Sequence, residues 1–269
     1  MSEDLVVKSN ALIQASYSLT LAEQHVILSA ITQVRRDEKI TDEVFYTVTA
    51  NALSDVSGFK SKHEYETLKE AGERLWGRTL VVHEKPNGEG YTTAKTRKMR
   101  WVQEAVYHDD TGAIQLRFSK PILPYLTALS SEFSQYKFKH IANMKSRYGI
   151  RLYELLIQWR TSGEREVEID WLRQTWGLDG KYPSICDLKK RVLDPAINDI
   201  NAYSNLSVTC VQRKTGRKVT HFQFKFEPKI KRKAIKKKLT DAEVTAQARP
   251  GESWEQARQR LGGTAPTGS

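Results

Sequence analysis

Apolar residues between positions 20 and 36 recur every three or four places: Val26, Ile27, Ala30, Ile31 and Val34. Thr20 and Glu23 precede them at the spacing with which a hydroxyl and a carboxylate cap a helix start reciprocally, so the pattern predicts an amphipathic helix over 20–36. EVFYTVTA (43–50) then reads as a strand, ALSDVSGF as a short helix closed by Gly58, and HEYETLKEAGERLW as a second helix ending at Gly77. Strand patterns follow in TLVVHE and in a long run through MRWVQEAVYH. The turn DDTG at 109–112 leads into AIQLRF, where Ile114, Leu116 and Phe118 alternate.

The same order returns in the second half. RYGIRLYELLIQWR (147–160) places Leu152, Leu155, Leu156 and Trp159 on one helical stripe, EREVEID is a short strand, and WLRQTWGL is a short helix. ICDLKKRVLDPAINDIN (185–201) is the next helix, and LSVTCVQ with RKVTHFQFKFE forms a hairpin around KTG, with Phe222, Phe224 and Phe226 alternating. Spacing supports a duplication. Leu53 and Gly58-Phe59 correspond to Leu172 and Gly177-Leu178, Leu68-Lys69 to Leu188-Lys189, and both hairpins carry Thr-Gly at the turn (Thr111-Gly112 and Thr215-Gly216). A unit of about 110 residues is therefore expected twice. Helix, strand, two helices and a two-stranded ribbon is the order of a winged helix, whose second short helix enters a DNA groove. The expected fold class is α+β: two tandem winged-helix domains, residues 1–130 and 131–228. From residue 229 KIKRKAIKKKL leads into a stretch poor in large apolar residues, and a disordered basic tail is expected there.

Charge sharpens the picture. The chain carries a net +11, but residues 1–130 hold 16 cations against 17 anions, whereas residues 131–269 hold 27 against 15. A polyanion, nucleic acid or an anionic membrane surface, is the expected partner of the second half. No stretch approaches the roughly 20 uninterrupted apolar residues of a membrane span, and MSEDLVVKSN lacks a secretory signal's apolar core, so a cytoplasmic location is expected. Cys186 and Cys210, the only cysteines, lie far from metal-ligand spacing and are expected to be buried or half-buried.

In the second copy's recognition helix, with Ile185, Leu188 and Val192 on the buried face, Lys190 points away from the core. Asp187 and Arg191 flank it, and Lys189 lies at the border. Ser184 after Pro183 suits an N-cap or a phosphate contact, and Lys181 lies in the loop before it. The alternative is a solvated helix face; two further cation groups favour DNA. Arg213, Lys214, Arg217 and Lys218 surround the wing turn, and Lys229, Lys231, Arg232, Lys233, Lys236, Lys237 and Lys238 follow it. In the first copy Glu64, Glu66, Glu70 and Glu73 would repel phosphate from the corresponding helix. DNA contacts there fall to Lys60, Lys62 and the strand cations Lys95, Arg97, Lys98 and Arg100, with packing or dimerisation the more natural role. Asp194-Pro195 breaks the helical pattern, and either a junction between two helical pieces or one bent helix accommodates it.

Catalytic signatures are missing: there is no GxxxxGK[ST] loop, no HExxH, and no His-apolar-His pair for a nicking nuclease. Tyr153, imaginable as a nicking nucleophile, reads as a packed helix residue, and His25, His140 and His221 lack ligand-spaced partners. No enzyme activity, cofactor or metal is expected.

LVVKSNALIQASYSLTLAEQHVILSAI, SRYGIRLYELL and DLKKRVLDPAINDIN, in that order, resemble the iteron-binding plasmid replication initiators of the Rep superfamily, over roughly residues 5–228. The resemblance implies two winged-helix domains, the C-terminal one reading directly repeated origin sites through residues 183–193 and the N-terminal one mediating dimerisation and backbone contacts. It implies monomers on iterons that help open the origin and recruit the host initiator and replicative helicase, dimers that repress the protein's own gene at an inverted repeat, and chaperones that assist the conversion. A two-domain winged-helix repressor is the nearest rival and a rolling-circle nicking enzyme a more distant one.

Overall fold

The computed structural model describes residues 4–35, 40–51, 64–84, 94–127, 132–229 and 256–257. The expected short helix at 52–59, Lys60, Lys62 and the tail beyond Lys229 fall outside the described residues, apart from Gln256 and Ala257 in the tail, which are helical; Ala50 and Asn51, just before the expected short helix, are helical too. The described residues up to Lys229 belong to one compact unit.

The capped helix starts where its spacing predicts but ends at Thr32 rather than at 36, and it is not amphipathic: Glu23, Gln24, His25, Val26, Ile27, Leu28, Ala30 and Ile31 are buried, so the core covers it on most sides. α2 (Leu21–Thr32) begins at Thr20, whose hydroxyl accepts from the Glu23 amide at 3.2 Å while the Glu23 carboxylate accepts from the Thr20 amide at 2.9 Å. The same carboxylate, fully buried, accepts from Arg74 at 3.2 Å and from Arg78 at 2.9 and 3.0 Å. One side chain thus closes the helix start and clamps α3 (Glu64–Gly77) against α2.

The duplication is visible in strand order. β2 (Tyr46–Thr49), β5 (Val102–His108) and β6 (Ala113–Phe118) form an antiparallel sheet in the order β2-β6-β5. Around α5 (Arg147–Ile157) and α6 (Ile169–Thr175), β8 (Glu164–Glu168), β9 (Leu206–Thr215) and β10 (Lys218–Pro228) form a second sheet in the equivalent order β8-β10-β9. In each, the strand between the helices pairs with the far strand of the wing. Ile114, Leu116 and Phe118 on β6, and Phe222, Phe224 and Phe226 on β10, turn the apolar face of each sheet into the core, as alternation requires.

Two ribbons are additions to this plan. β1 (Leu5–Ser9) pairs antiparallel with β7 (Phe133–Lys137), with Val7 opposite Gln135. β3 (Thr79–Glu84) pairs with β4 (Lys95–Arg100). The run read as one strand through 99–108 is therefore broken at Trp101, whose amide bonds the Arg78 carbonyl and whose ring packs edge-on against Tyr17 at 5.0 Å. Trp159 also departs from expectation: α5 ends at Ile157, and Trp159 is half exposed beside the Arg165 guanidinium.

A buried polar cluster joins β1 and β7 to α5. Lys8 and Glu154, each 1% exposed, form an ion pair at 2.5 Å, and the Tyr136 hydroxyl donates to the same carboxylate. Burial and the Glu154 charge raise the Tyr136 hydroxyl well above its ordinary pKa, so it remains a donor. The neighbouring Tyr153, fully buried, donates to Asn205 at 2.9 Å and is a packed residue, as its place on the helix predicts.

On α2, His25 is 7% exposed and burial lowers its pKa to about 4, against an unperturbed 6.5, despite an opposing bond to the Ile141 backbone. The unfolded chain takes up this proton near pH 6.5 and the folded chain only near pH 4. Between those values falling pH favours unfolding, by up to about 3 kcal/mol in total. Denaturant titrations at pH 7, 5.5 and 4.5 are expected to show that decline in the wild type and a shallower one in His25→Leu.

Candidate nucleic-acid interface

The loop before the recognition helix is held by a residue that sequence reasoning passed over. Gly177 and Gly180 have positive φ, and so does Tyr182 (φ 51), a conformation unfavourable for a residue with a Cβ. Arg173, on α6, donates to the carbonyls of Lys181 and Tyr182 at 2.6 Å each and to that of Pro183 at 3.4 Å, fixing the approach to the helix. The only signal in the sequence is an arginine one helix upstream, with nothing to name its partners.

α7 (Ile185–Leu188) starts at Ser184, which caps it: the Asp187 amide donates to the Ser184 hydroxyl at 3.0 Å, and that hydroxyl donates to the Asp187 carboxylate at 2.7 Å. Both proposed polar contacts are thus already engaged with each other, and a phosphate reaching Ser184 must compete with the cap.

The chain then passes through a π-helical turn, Lys189–Leu193, straight into α8 (Asp194–Tyr203). The Asp194 amide bonds the Lys189 carbonyl five residues back, and the backbone stays helical throughout. Pro195 supplies the physical reason. It has no N–H, and in an α-helix its ring would collide with the Arg191 carbonyl; one wider turn removes the collision without breaking the helix. The junction and the bend weighed from sequence give way to a continuous helix with a local widening. Lys189, Lys190 and Arg191 all lie on that turn and spread over a smaller arc than ~100° per residue would give.

Lys181, Lys190 and Arg191 are exposed and Lys189 is half-buried beside Cys210, whose thiol burial pushes up to about 11 against the lowering effect of the Lys189 charge. Cys186 is exposed on α7, contrary to its expected burial. Leu188, Val192, Leu193, Ala196 and Ile200 form the buried face, with Ile185 only partly covered.

At the wing, Gly216 (φ 62) and Arg217 form the two-residue turn between β9 and β10; glycine takes the left-handed position that a tight hairpin demands. Arg213, Lys214, Arg217 and Lys218 are all exposed. Arg213 pairs with Glu166 on β8 at 3.1 Å, whereas Lys214, Arg217, Lys218, Lys181, Lys189, Lys190 and Arg191 make no ion pair among the described residues. Recognition helix and wing enclose an open concavity of about 540 Å³ lined by Ile185, Cys186, Lys189, Lys190, Asp194, Gln212 and Val219. Gln212, a donor and acceptor on β9, lines it as well and carries no charge to mark it in the sequence. Lys229 belongs elsewhere: its ammonium bonds the carbonyls of Asn201 and Ser204 and closes the end of α8.

The first copy is dressed differently. Lys69 and Tyr65 of α3 bond Asp109 in the first wing at 2.9 and 2.6 Å, and Arg74 is engaged with Glu23 and Glu70. The exposed Lys95, Arg97, Lys98 and Arg100 lie on β4, outside the wing, with Arg100 stacked over Trp76 at 4.8 Å. Among the described residues no group of His, Cys, Asp and Glu could hold a metal ion, and no helix is long and apolar enough to cross a membrane.

Two family models match in tandem, "Initiator Replication protein, WH1" over residues 5–157 and "Initiator Rep protein, WH2" over residues 168–226. The chain belongs to the replication initiator family. Among the relatives of this initiator, a "Replication initiation protein" of Escherichia coli is 27% identical over 220 residues, 79% of this chain and 67% of that one. The "PI protein" of Escherichia coli is 22% identical over 236 residues, 77% of each. The crystal structure of the Pi initiator protein in complex with iteron DNA superposes with a TM-score of 0.69 over 85% of this chain and 98% of that one, at 21% identity, and so shares the fold.

Proposed function

We propose that this initiator starts plasmid replication by binding directly repeated origin sites, with the second winged helix, residues 131–228, as the reader. The observation that carries the reading is the tandem match to both initiator domains, in a chain whose excess positive charge all lies in its second half. α7 and the π-turn present Lys190 and Arg191 to base edges; Lys189 and Gln212 line the concavity toward the wing; Lys181, Lys214, Arg217 and Lys218 hold phosphates. Ser184 and Asp187 position the helix start and meet DNA only where the cap opens. Arg213 contributes less, being shared with Glu166. The first winged helix, residues 1–130, mediates dimerisation and adds backbone contacts through Lys95, Arg97, Lys98 and Arg100, with Lys60 and Lys62. The basic tail tracks phosphates. Monomers on the repeats strain the duplex open and recruit the host initiator and helicase in the cytoplasm, while dimers, converted with the help of chaperones, repress the gene at an inverted repeat. The protein itself performs no covalent step.

The wing gives a simple expectation. Lys214→Ala with Lys218→Ala should weaken binding to site and non-site DNA alike, and the slope of log affinity against log salt should become shallower by about 0.9 for each phosphate that is no longer neutralised. Fluorescence anisotropy across a salt series reads both quantities.

Plasmid maintenance separates initiation from simple repression. A minimal replicon lacking this gene should replicate only when the protein is supplied in trans. Replication without it, with only derepression of a promoter, would assign the chain to the repressor class.

A further inference from the structure

A second polar feature lies where residues 15–19 of the first copy rest on the helix-turn-helix turn of the second. The Tyr17 amide donates to the Thr175 carbonyl at 3.2 Å, and a Cβ on Gly177 would meet Ser18 at 3.3 Å, so the two segments are in close contact. Arg151 of α5 bridges them. Its Nη2 donates to the Ala15 carbonyl at 2.8 Å and reaches the Thr175 carbonyl at 3.4 Å, and its guanidinium lies 3.6 Å from the centre of the Tyr17 ring.

Arg151 is only 3% exposed, and among the described residues its charge has no carboxylate partner and its Nε and Nη1 have no acceptor. Trp176, 2% exposed and stacked on Tyr148 at 5.7 Å, likewise has an Nε1–H without an acceptor there. Both side chains line one small cavity beside Tyr17, Gln24, Arg147 and Tyr148, with about 10 Å³ open to the centre of a water-sized sphere. Among the described residues no acidic side chain lines it, and the nearby Asp199 carboxylate is taken up by the amides of Lys145 and Ser146. Arg147 adds a second guanidinium, which donates to the Tyr148 hydroxyl at 2.6 Å.

A buried cation without a counter-charge is costly, and donors without acceptors add to that cost. A water would accept from two of these donors and can return its protons to the Ser18 hydroxyl or the Gln24 amide oxygen, whose residues also line the space, but it brings no charge to set against Arg151. A monatomic anion brings acceptor capacity and charge together; the space holds about one water-sized sphere, so a halide, slightly larger than water, displaces the lining by roughly a few tenths of an ångström, and a tetrahedral oxyanion by much more. We infer that this cavity is a binding site for a halide-sized anion, chloride under ordinary conditions, which ties the first winged helix to the recognition turn of the second. The inference rests on the joint between the two copies and is independent of the DNA-binding reading.

The test uses the full chain at constant ionic strength, with potassium glutamate replaced stepwise by potassium chloride. Thermal stability should rise and saturate with chloride, and bromide should act in the same way. Trp176→Phe keeps the stack and removes one donor, so its chloride midpoint should be weaker by about five- to tenfold. Arg151→Met should abolish the response. Crystals grown in bromide should show an anomalous peak in the cavity, a readout that holds even if Arg151→Met does not fold. A water alone in the cavity under bromide, an equal chloride response in Trp176→Phe, or stabilisation by sulfate but not by halide would each overturn the inference.

Discussion

Lys8→Met is expected to destabilise the protein by about 3–5 kcal/mol in urea unfolding, and the double variant Lys8→Met with Glu154→Leu to recover most of that loss. Lys8 and Glu154 are each 1% exposed and the carboxylate also accepts from Tyr136, so removing the ammonium leaves an anion buried with one hydroxyl donor. The stabilisation from such a pair is small compared with the penalty of breaking it, because both charges were taken out of water to form it. Removing both charges removes the penalty, and the replacements are apolar in a buried neighbourhood that includes Val6, on the same face of β1, and Tyr136 opposite it. A loss below about 1 kcal/mol in Lys8→Met would show that water reaches the pair. Because β1 contributes Lys8 and α5 contributes Glu154, the single variant should also loosen the N-terminal strand, visible as faster amide exchange at residues 5–9.

The second large effect concerns recognition. Lys190→Ala combined with Arg191→Ala should reduce specific binding by about 2–6 kcal/mol, since each base-contacting side chain contributes about 1–3 kcal/mol. The two residues are neighbours on the π-turn, so the double variant need not equal the sum of the singles. Competition between site and non-site DNA distinguishes base reading from charge: a drop in the ratio marks base contacts, while equal weakening of both moves Lys190 and Arg191 to the phosphate-holding group. Their exposure and lack of an ion pair among the described residues leave them available for either role.

Much of the fold was legible because the signals were local. Thr20 and Glu23 cap α2 within one turn, and the alternation of Phe222, Phe224 and Phe226 needs only the pleat of one strand. The duplication was visible because both copies repeat the same local signals, and their matching strand orders follow. What was not legible depends on distant partners. LVVKS reads as no element alone; it becomes a strand by pairing with FSQYK more than 120 residues away, and Lys8 enters the core only because Glu154 is there to meet it. The charge of Arg173 gives no hint that it serves three backbone carbonyls, nor that of Lys229 that it closes α8. Pro195 announced an irregularity, but choosing among a break, a bend and a widened turn required the packing of Leu188, Val192 and Leu193 on one side of it. The exposed face of the recognition helix was readable from periodicity. The engagement of Ser184 with Asp187 was half-readable, since a capping serine was expected there but not its carboxylate partner.

The central claim, that the second winged helix reads repeated sites at an origin, is tested most directly by footprinting the purified protein on the DNA flanking its own gene. The predicted result is protection recurring at a regular spacing over tandem repeats of about 20 base pairs, abolished in the Lys190→Ala, Arg191→Ala double variant. Protection confined to a single palindrome, or none at all, would contradict it.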